Sequence, residues 1–259
     1  MKVAILIPAR YASSRYPGKP LVELRGADGI SKPLIQRTWE TACEVADAAN
    51  IYVATDDERI SRCVTDFGGQ VIMTSEACRN GTERCAEALP LLGHAPDLIV
   101  NLQGDAPLTP PWFLEELIAA LQERADISVA TPVLRCDEET YAHFRADRAA
   151  GQVGGTTVVF AGDGSALYFS KEVIPFVNEK TISSLMPVFH HVGVYAYRPD
   201  MLTRYSEWKE GPLESNEGLE QLRFLENGEK ILCVEVNARG RLFWELNNPV
   251  DVDRIEKVL

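Results

Sequence analysis

Three cations fall within ten residues in the run Pro8-Ala9-Arg10-Tyr11-Ala12-Ser13-Ser14-Arg15-Tyr16-Pro17-Gly18-Lys19-Pro20: Arg10, Arg15 and Lys19. Small residues let backbone N–H groups approach an anion and the cations supply charge, which is the specification of a polyphosphate cradle. The Gly18-Lys19 pair is followed by proline and lacks the earlier glycine of a Walker loop, and no G-x-G-x-x-G occurs. The plain alternative is a solvated basic loop. Farther on, Asn101-Leu102-Gln103-Gly104-Asp105-Ala106-Pro107 sets a carboxylate just past an apolar run. Asp105 there suits Mg²⁺, which is held by one or two carboxylates plus substrate phosphates. It would equally suit a helix-capping aspartate before Pro111. A third segment, Arg79-Asn80-Gly81-Thr82-Glu83-Arg84, can start a helix whose free N–H groups face a base or an anion. It also reads as an ordinary turn and cap. A basic loop facing a metal-ready carboxylate is what nucleotidyl transfer requires, since that reaction is mostly positioning and charge neutralisation.

The elements that must position these segments alternate. Apolar runs at Val3–Ile7, Ile51–Ala54, Gln70–Met73 and Leu98–Leu102 predict strands. Helical spacing predicts helices over Pro33–Ala49, Asp57–Phe67, Thr82–Leu92 and Pro111–Glu123. This rhythm means an α/β fold with a mainly parallel sheet covered on both faces, and ligands at the carboxyl ends of the strands. All three segments then share one sheet edge. From Ile127 the rhythm changes. Ile127–Leu134, Thr156–Phe160, Ala166–Phe169 and His191–Tyr197 predict strands with short connections, a mixed and partly antiparallel region. Glu214–Glu226 returns to helix, Ile231–Val236 to strand and Val250–Val258 to a closing helix. The expectation is one domain over residues 1–259, with a mixed β insertion within 126–200.

The chain has 259 residues and 46% hydrophobic composition, enough for one large core and too apolar for disorder. Its net charge of −12 argues against broad binding of nucleic acid or an anionic membrane, while leaving room for a small basic pocket. No apolar run approaches the roughly 20 residues a bilayer needs, and the N-terminal MKVAILIPAR is too short for a signal-peptide core. Six cysteines without a C-x-x-C pair read as reduced thiols of a cytosolic protein. His94 and His143 read as structural or solvent-facing, and Trp39, Trp112, Trp208 and Trp244 as core or contact residues.

The run Ile7–Pro20 resembles the signature of the 3-deoxy-manno-octulosonate (KDO) cytidylyltransferases. Tyr52-Val-Ala-Thr-Asp-Asp, Met73-Thr, Asn80-Gly-Thr-Glu-Arg, Asn101-Leu-Gln-Gly-Asp, Ala166-Leu-Tyr-Phe-Ser, His191-Val-Gly-Val-Tyr-Ala-Tyr-Arg and Leu219-Glu-Gln-Leu-Arg follow that family in order and spacing. The resemblance covers nearly the whole chain. It implies the nucleotidyltransferase (Rossmann-like) fold and a homodimer in the cytoplasm, with the 126–200 region serving acceptor binding or dimerisation. The implied reaction is Mg²⁺-dependent transfer of CMP from CTP to a sugar acid with release of pyrophosphate, as in lipopolysaccharide biosynthesis. Carried over by position, Ala9, Arg10 and Lys19 would hold the triphosphate with Arg15 nearby. Lys19, Arg10 and Asp105 would be the catalytic groups. Asn80, which stands where serine is more usual, would line the cytidine side with Gly81, Thr82 and Gln103. Asp105 would bind Mg²⁺, and His191, Tyr195, Glu214 and Gln221 would face the acceptor acid.

Departures cluster in the metal and acceptor regions. Asn247 stands where the family has its second metal aspartate; an amide oxygen can coordinate but brings no charge, and Glu245 is placed to compensate. Lys171 replaces an arginine, Gly154-Gly155-Thr156-Thr157 replaces an Asn-x-Val-Lys stretch, and Ala106 replaces a glutamate. The CTP loop is intact, so the pattern suggests a changed acceptor. KDO, another 3-deoxy-2-keto sugar acid and a different acidic acceptor such as a phosphonate stay open. So do a sugar-1-phosphate nucleotidyltransferase, disfavoured by the Pro-Ala-Arg opening, and a non-catalytic CTP-binding relative.

Overall fold

The computed structural model describes residues 1–12, 16–45, 50–153, 155–178, 186–241, 243–246 and 248–259. Arg15, Gly154 and Asn247 lie outside the described residues. Along the chain run β1 (Val3–Ala9), β2 (Glu23–Arg25), β3 (Ser31–Pro33), α1 (Leu34–Cys43), β4 (Asn50–Thr55), α2 (Glu58–Asp66) and β5 (Gln70–Met73). There follow α3 (Gly81–Ala88), β6 (Leu98–Leu102), α4 (Pro111–Glu123), β7 (Val129–Arg135), α5 (Glu138–Ala149), β8 (Thr157–Phe160) and β9 (Ala166–Ser170). The remainder comprises β10 (Phe189–His191), β11 (Val194–Tyr197), α6 (Pro199–Glu207), α7 (Pro212–Glu217), α8 (Leu222–Glu226), β12 (Ile231–Glu235) and α9 (Asp251–Glu256).

Two compact units result. The first comprises Met1–Ile118, Val194–Ser206 and Ala238–Leu259. Its strands run in the order β5-β4-β1-β6-β11, the first four parallel and β11 antiparallel to β6. All seven residues of β1 are buried, as a strand covered on both faces requires. Parallel order puts the ends of β1 and β6 on one edge, with Leu6 opposite Asn101. Helix α2 starts where the Asp57 carboxylate accepts the Arg59 N–H at 2.8 Å, and it buries Ile60 and Val64.

The second unit comprises Ala119–Gly193 and Glu207–Asn237. Its strands run β12-β7-β10-β8-β9, with β12 parallel to β7 and the other pairs antiparallel. The mixed pairing expected beyond Ile127 is therefore present. Its short connections are not all short: α5 occupies twelve residues after β7. Asp137 caps it by accepting the Thr140 N–H at 2.7 Å, and only Tyr141 and Phe144 are buried on it. Two anchors in twelve positions give a weak periodic signal, while the cap and the acidic first turn were the legible cue.

Other elements differ from expectation for local reasons. The strand predicted over His191–Tyr197 is two, because β10 pairs with β7 and β8 whereas β11 pairs with β6. The helix predicted over Glu214–Glu226 is two, broken where Gly218 takes φ +62°. The helix starting at Gly81 ends at Ala88 and passes into a 3₁₀ turn over Leu89–Leu91, which contains Pro90. The six cysteines are free thiols.

Candidate nucleotide-binding site

The basic loop is shaped by hydrogen bonds of its own. The Gly18 N–H donates to the Tyr11 carbonyl at 2.9 Å. Gly18 takes φ +72°, which a residue with a Cβ adopts only under strain. This turn delivers Lys19 into a 3₁₀ turn over Lys19–Leu21. There the Lys19 ammonium pairs with the Asp105 carboxylate. Asp105 is brought up by a close crossing of strand ends: a Cβ at Gly104 would stand 2.8 Å from the Pro8 carbonyl oxygen. The Asp105 carbonyl accepts the Leu246 N–H at 2.9 Å, which fixes its backbone from the C-terminal side. Arg10 is exposed, and among the described residues no carboxylate pairs with it.

The start of α3 forms the facing wall. The Asn80 side-chain oxygen accepts the Glu83 N–H at 2.8 Å, and its amide donates to the Tyr205 hydroxyl at 3.1 Å. Thr82 is buried, with its hydroxyl 2.8 Å from that of Tyr197. Gly81 lets Gln103 lie against the helix start, since a Cβ there would come within 2.6 Å of the Gln103 amide nitrogen. Behind them Arg84 is buried and donates to Asp56 at 2.8 Å and to Thr74 at 2.5 Å. The Cys78 thiol is pushed up to about 12, first by burial and then by its bond to Glu87, so it stays protonated.

These walls enclose one cavity of about 240 Å³. The β1 end contributes Ala9, Arg10 and Lys19; the α3 start contributes Asn80 and Gly81; the β6 end contributes Gln103 and Asp105. Seven of the residues singled out from sequence therefore line one space, at the carboxyl edge of the parallel strands. Thr82 instead anchors the helix to Tyr197, and Tyr195 lies buried on β11 with its ring stacked on Tyr197 at 5.8 Å.

The remaining acceptor candidates lie in the second unit. His191 is buried on β10, its ring nitrogen 3.0 Å from the Thr131 hydroxyl and its ring edge-on to Phe169. Burial first, and then the neighbouring His190, push it down to about 3, so it is neutral at physiological pH. The Glu214 carboxylate is committed to a fork with Arg223, two bonds of 2.6 Å, both side chains buried. Gln221 is buried immediately before α8.

The profile of the cytidylyltransferase family matches residues 4–231 of the chain. The 3-deoxy-manno-octulosonate cytidylyltransferase of Maricaulis maris is 42% identical over 259 residues, covering 100% of this chain and 97% of that one. The chain belongs to the cytidylyltransferase family. The 8-amino-3,8-dideoxy-manno-octulosonate cytidylyltransferase of Shewanella pealeana is 41% identical, covering 97% of this chain and 96% of that one. Among solved structures, CMP:2-keto-3-deoxy-manno-octonic acid synthetase in complex with CTP superposes with a TM-score of 0.85 at 34% identity, covering 99% and 98% of the two chains. The α/β fold expected from the alternating pattern, of the nucleotidyltransferase type that the family resemblance implied, is thus the fold of this cytidylyltransferase.

Six cavity-lining residues were not singled out as site residues from sequence: Pro8, Pro20, Cys78, Arg79, Arg84 and Gly104. Gly104 lines it by the crossing described above. For Arg84 a signal existed, an arginine three positions past the glycine of a capped helix start. Its burial against Asp56 depends on a strand end 28 residues away in sequence, which spacing does not reveal.

Proposed function

We propose that this cytidylyltransferase transfers CMP from CTP to the anomeric hydroxyl of 3-deoxy-manno-octulosonate. The carrying observation is the cavity in which a cation-rich loop, a helix start and a carboxylate meet. Arg10 and Lys19 bind the phosphates, and the α3 start with Gln103 orients the cytidine. The acceptor oxygen forms a bond to the α-phosphorus, the bond from that phosphorus to the β-phosphate's bridging oxygen breaks, pyrophosphate leaves, and the hydroxyl proton passes to solvent. Holding the phosphates in line and neutralising their charge is the main work of such a site.

Mg²⁺ belongs to this proposal. Among the described residues no three His, Cys, Asp or Glu side chains converge as a metal cluster. Asp105, the one carboxylate among the described residues lining the cavity, fits Mg²⁺ in the mode in which substrate phosphates complete the coordination. Asp105 would hold the ion, which when bound neutralises phosphate charge. A homodimer is proposed as well, with exposed Leu167 on β9 and exposed Phe176 as apolar surface for it to cover. The six free thiols support a reducing compartment, the cytoplasm. No helix among the described residues is long and apolar enough to cross a membrane.

The Shewanella relative, at 41% identity against 42% for the Maricaulis one, supports a second reading in which the acceptor carries an amine at C8. Pyrophosphate release from CTP, measured with 3-deoxy-manno-octulosonate, its 8-amino analogue, other sugar acids and phosphonates, decides between them. Faster release with the first acceptor than with the second is the expected result. CTP binding without release on any acid would overturn the enzymatic reading.

A further inference from the structure

Lys19 is aimed at the phosphate cavity by the Gly18 turn, and that turn is packed against an aromatic ring outside the cavity. A Cβ at Gly18 would stand 3.0 Å from the Tyr11 Cζ and hydroxyl, so the hydroxyl end of the ring closes directly on the glycine. The Gly18 N–H donates to the Tyr11 carbonyl at 2.9 Å, so backbone and ring of Tyr11 grip the turn together. The ring is in turn covered by Arg59, whose guanidinium carbon lies 3.3 Å from the ring centroid. Arg59 is also tied to Asp57. Its Nε and Nη2 donate to the Asp57 carboxylate at 3.0 and 2.6 Å, and that carboxylate also caps α2 through the Arg59 N–H at 2.8 Å.

We propose that Tyr11 and Arg59 form a clasp that joins the start of α2 to the Gly18 turn and so positions Lys19 for the phosphates of CTP. The proposal rests on the CTP reading above. Neither residue lines the cavity, so both are positioning residues. A cation held over an aromatic face at an exposed site is worth a factor of about two to five in an equilibrium constant. Its loss should appear as weaker CTP binding of that size, because the turn then samples directions that do not aim Lys19.

The test is isothermal titration of the whole protein with CTP, with melting temperatures recorded for each variant. Tyr11→Leu and Arg59→Met should each weaken CTP binding about twofold to fivefold, while Tyr11→Phe, which keeps the ring, binds as wild type does. The double variant Tyr11→Leu/Arg59→Met should bind no worse than the weaker single variant, since the two residues act as one unit. The Arg59→Met deficit should persist at 0.5 M salt, where a long-range charge effect is screened. Should Tyr11→Leu fail to fold, exposed Arg59→Met and Tyr11→Phe still decide. Wild-type affinity in Arg59→Met, or equal losses in Tyr11→Phe and Tyr11→Leu, overturns the clasp alone. A wild-type protein that does not bind CTP overturns the functional reading and the clasp with it.

Discussion

Arg223→Met should unfold this protein at a far lower temperature, and the size of the effect follows from the buried fork. The Arg223 side chain is 1% exposed and that of Glu214 7%, and the two share two bonds of 2.6 Å. Methionine fills much of the arginine stem's volume but leaves the Glu214 carboxylate buried without its guanidinium. Removing one partner of a buried pair costs about 3–5 kcal/mol, because the remaining charge is uncompensated. At about 2–4 °C per kcal/mol for a chain of this size, the melting temperature should fall by about 6–20 °C. The double variant Glu214→Leu/Arg223→Met removes both charges and should lie within about 2 kcal/mol of wild type, since an apolar pair of similar volume replaces a salt bridge at little cost. Thermal unfolding of wild type, both singles and the double by circular dichroism completes the cycle. A melting temperature for Arg223→Met within 2 °C of wild type would refute the reasoning, as would a double variant destabilised by the sum of its singles. Either result would release Glu214 from a framework role.

Lys19→Ala should weaken CTP binding about tenfold to a hundredfold, the worth of a charged hydrogen bond to phosphate, while its part-exposed pair with Asp105 contributes at most about 1 kcal/mol to folding. Calorimetric titration and a melting curve check both halves, and a large loss of stability with intact CTP binding would contradict the assignment. Asp105→Asn keeps an acceptor for Lys19 but removes the charge, and turnover should fall roughly 10²-fold; near-normal turnover at saturating Mg²⁺ would remove Asp105 from the metal. His191, pushed down to about 3 in the fold, stays neutral where an unfolded histidine takes up a proton, so the unfolded chain binds more protons between about pH 3 and 6.5. Stability contributed by this site is therefore full above pH 6.5 and lost as pH falls below it, by roughly 2 kcal/mol at pH 5, and His191→Phe should flatten that slope in urea melts taken across the range.

The cation-rich loop, the carboxylate past the fourth apolar run and the capped Asn80 turn were legible without any structure. Each is a local pattern, and local patterns are governed by sterics and hydrogen bonding within a few residues. So were the parallel strands, because β1 and β6 are buried on both faces and read as unbroken apolar runs. What depended on distant parts of the chain was not legible. The pairing of Lys19 with Asp105 spans 86 residues and exists because Gly104 lets two strand ends cross closely. The helices α7 and α8 look like one periodic stretch until Gly218 turns left-handed between them. Glu214 looks like a ligand-facing carboxylate in sequence, and packing gives its charge to Arg223. The stack of Arg59 on Tyr11 joins two motifs 48 positions apart, each of which spacing alone treats as complete. Sequence determined which residues carry charge and where the backbone can turn. Tertiary structure decided which charges face each other, because that follows from strand order, and strand order is set by the burial of the whole sheet rather than by any single segment.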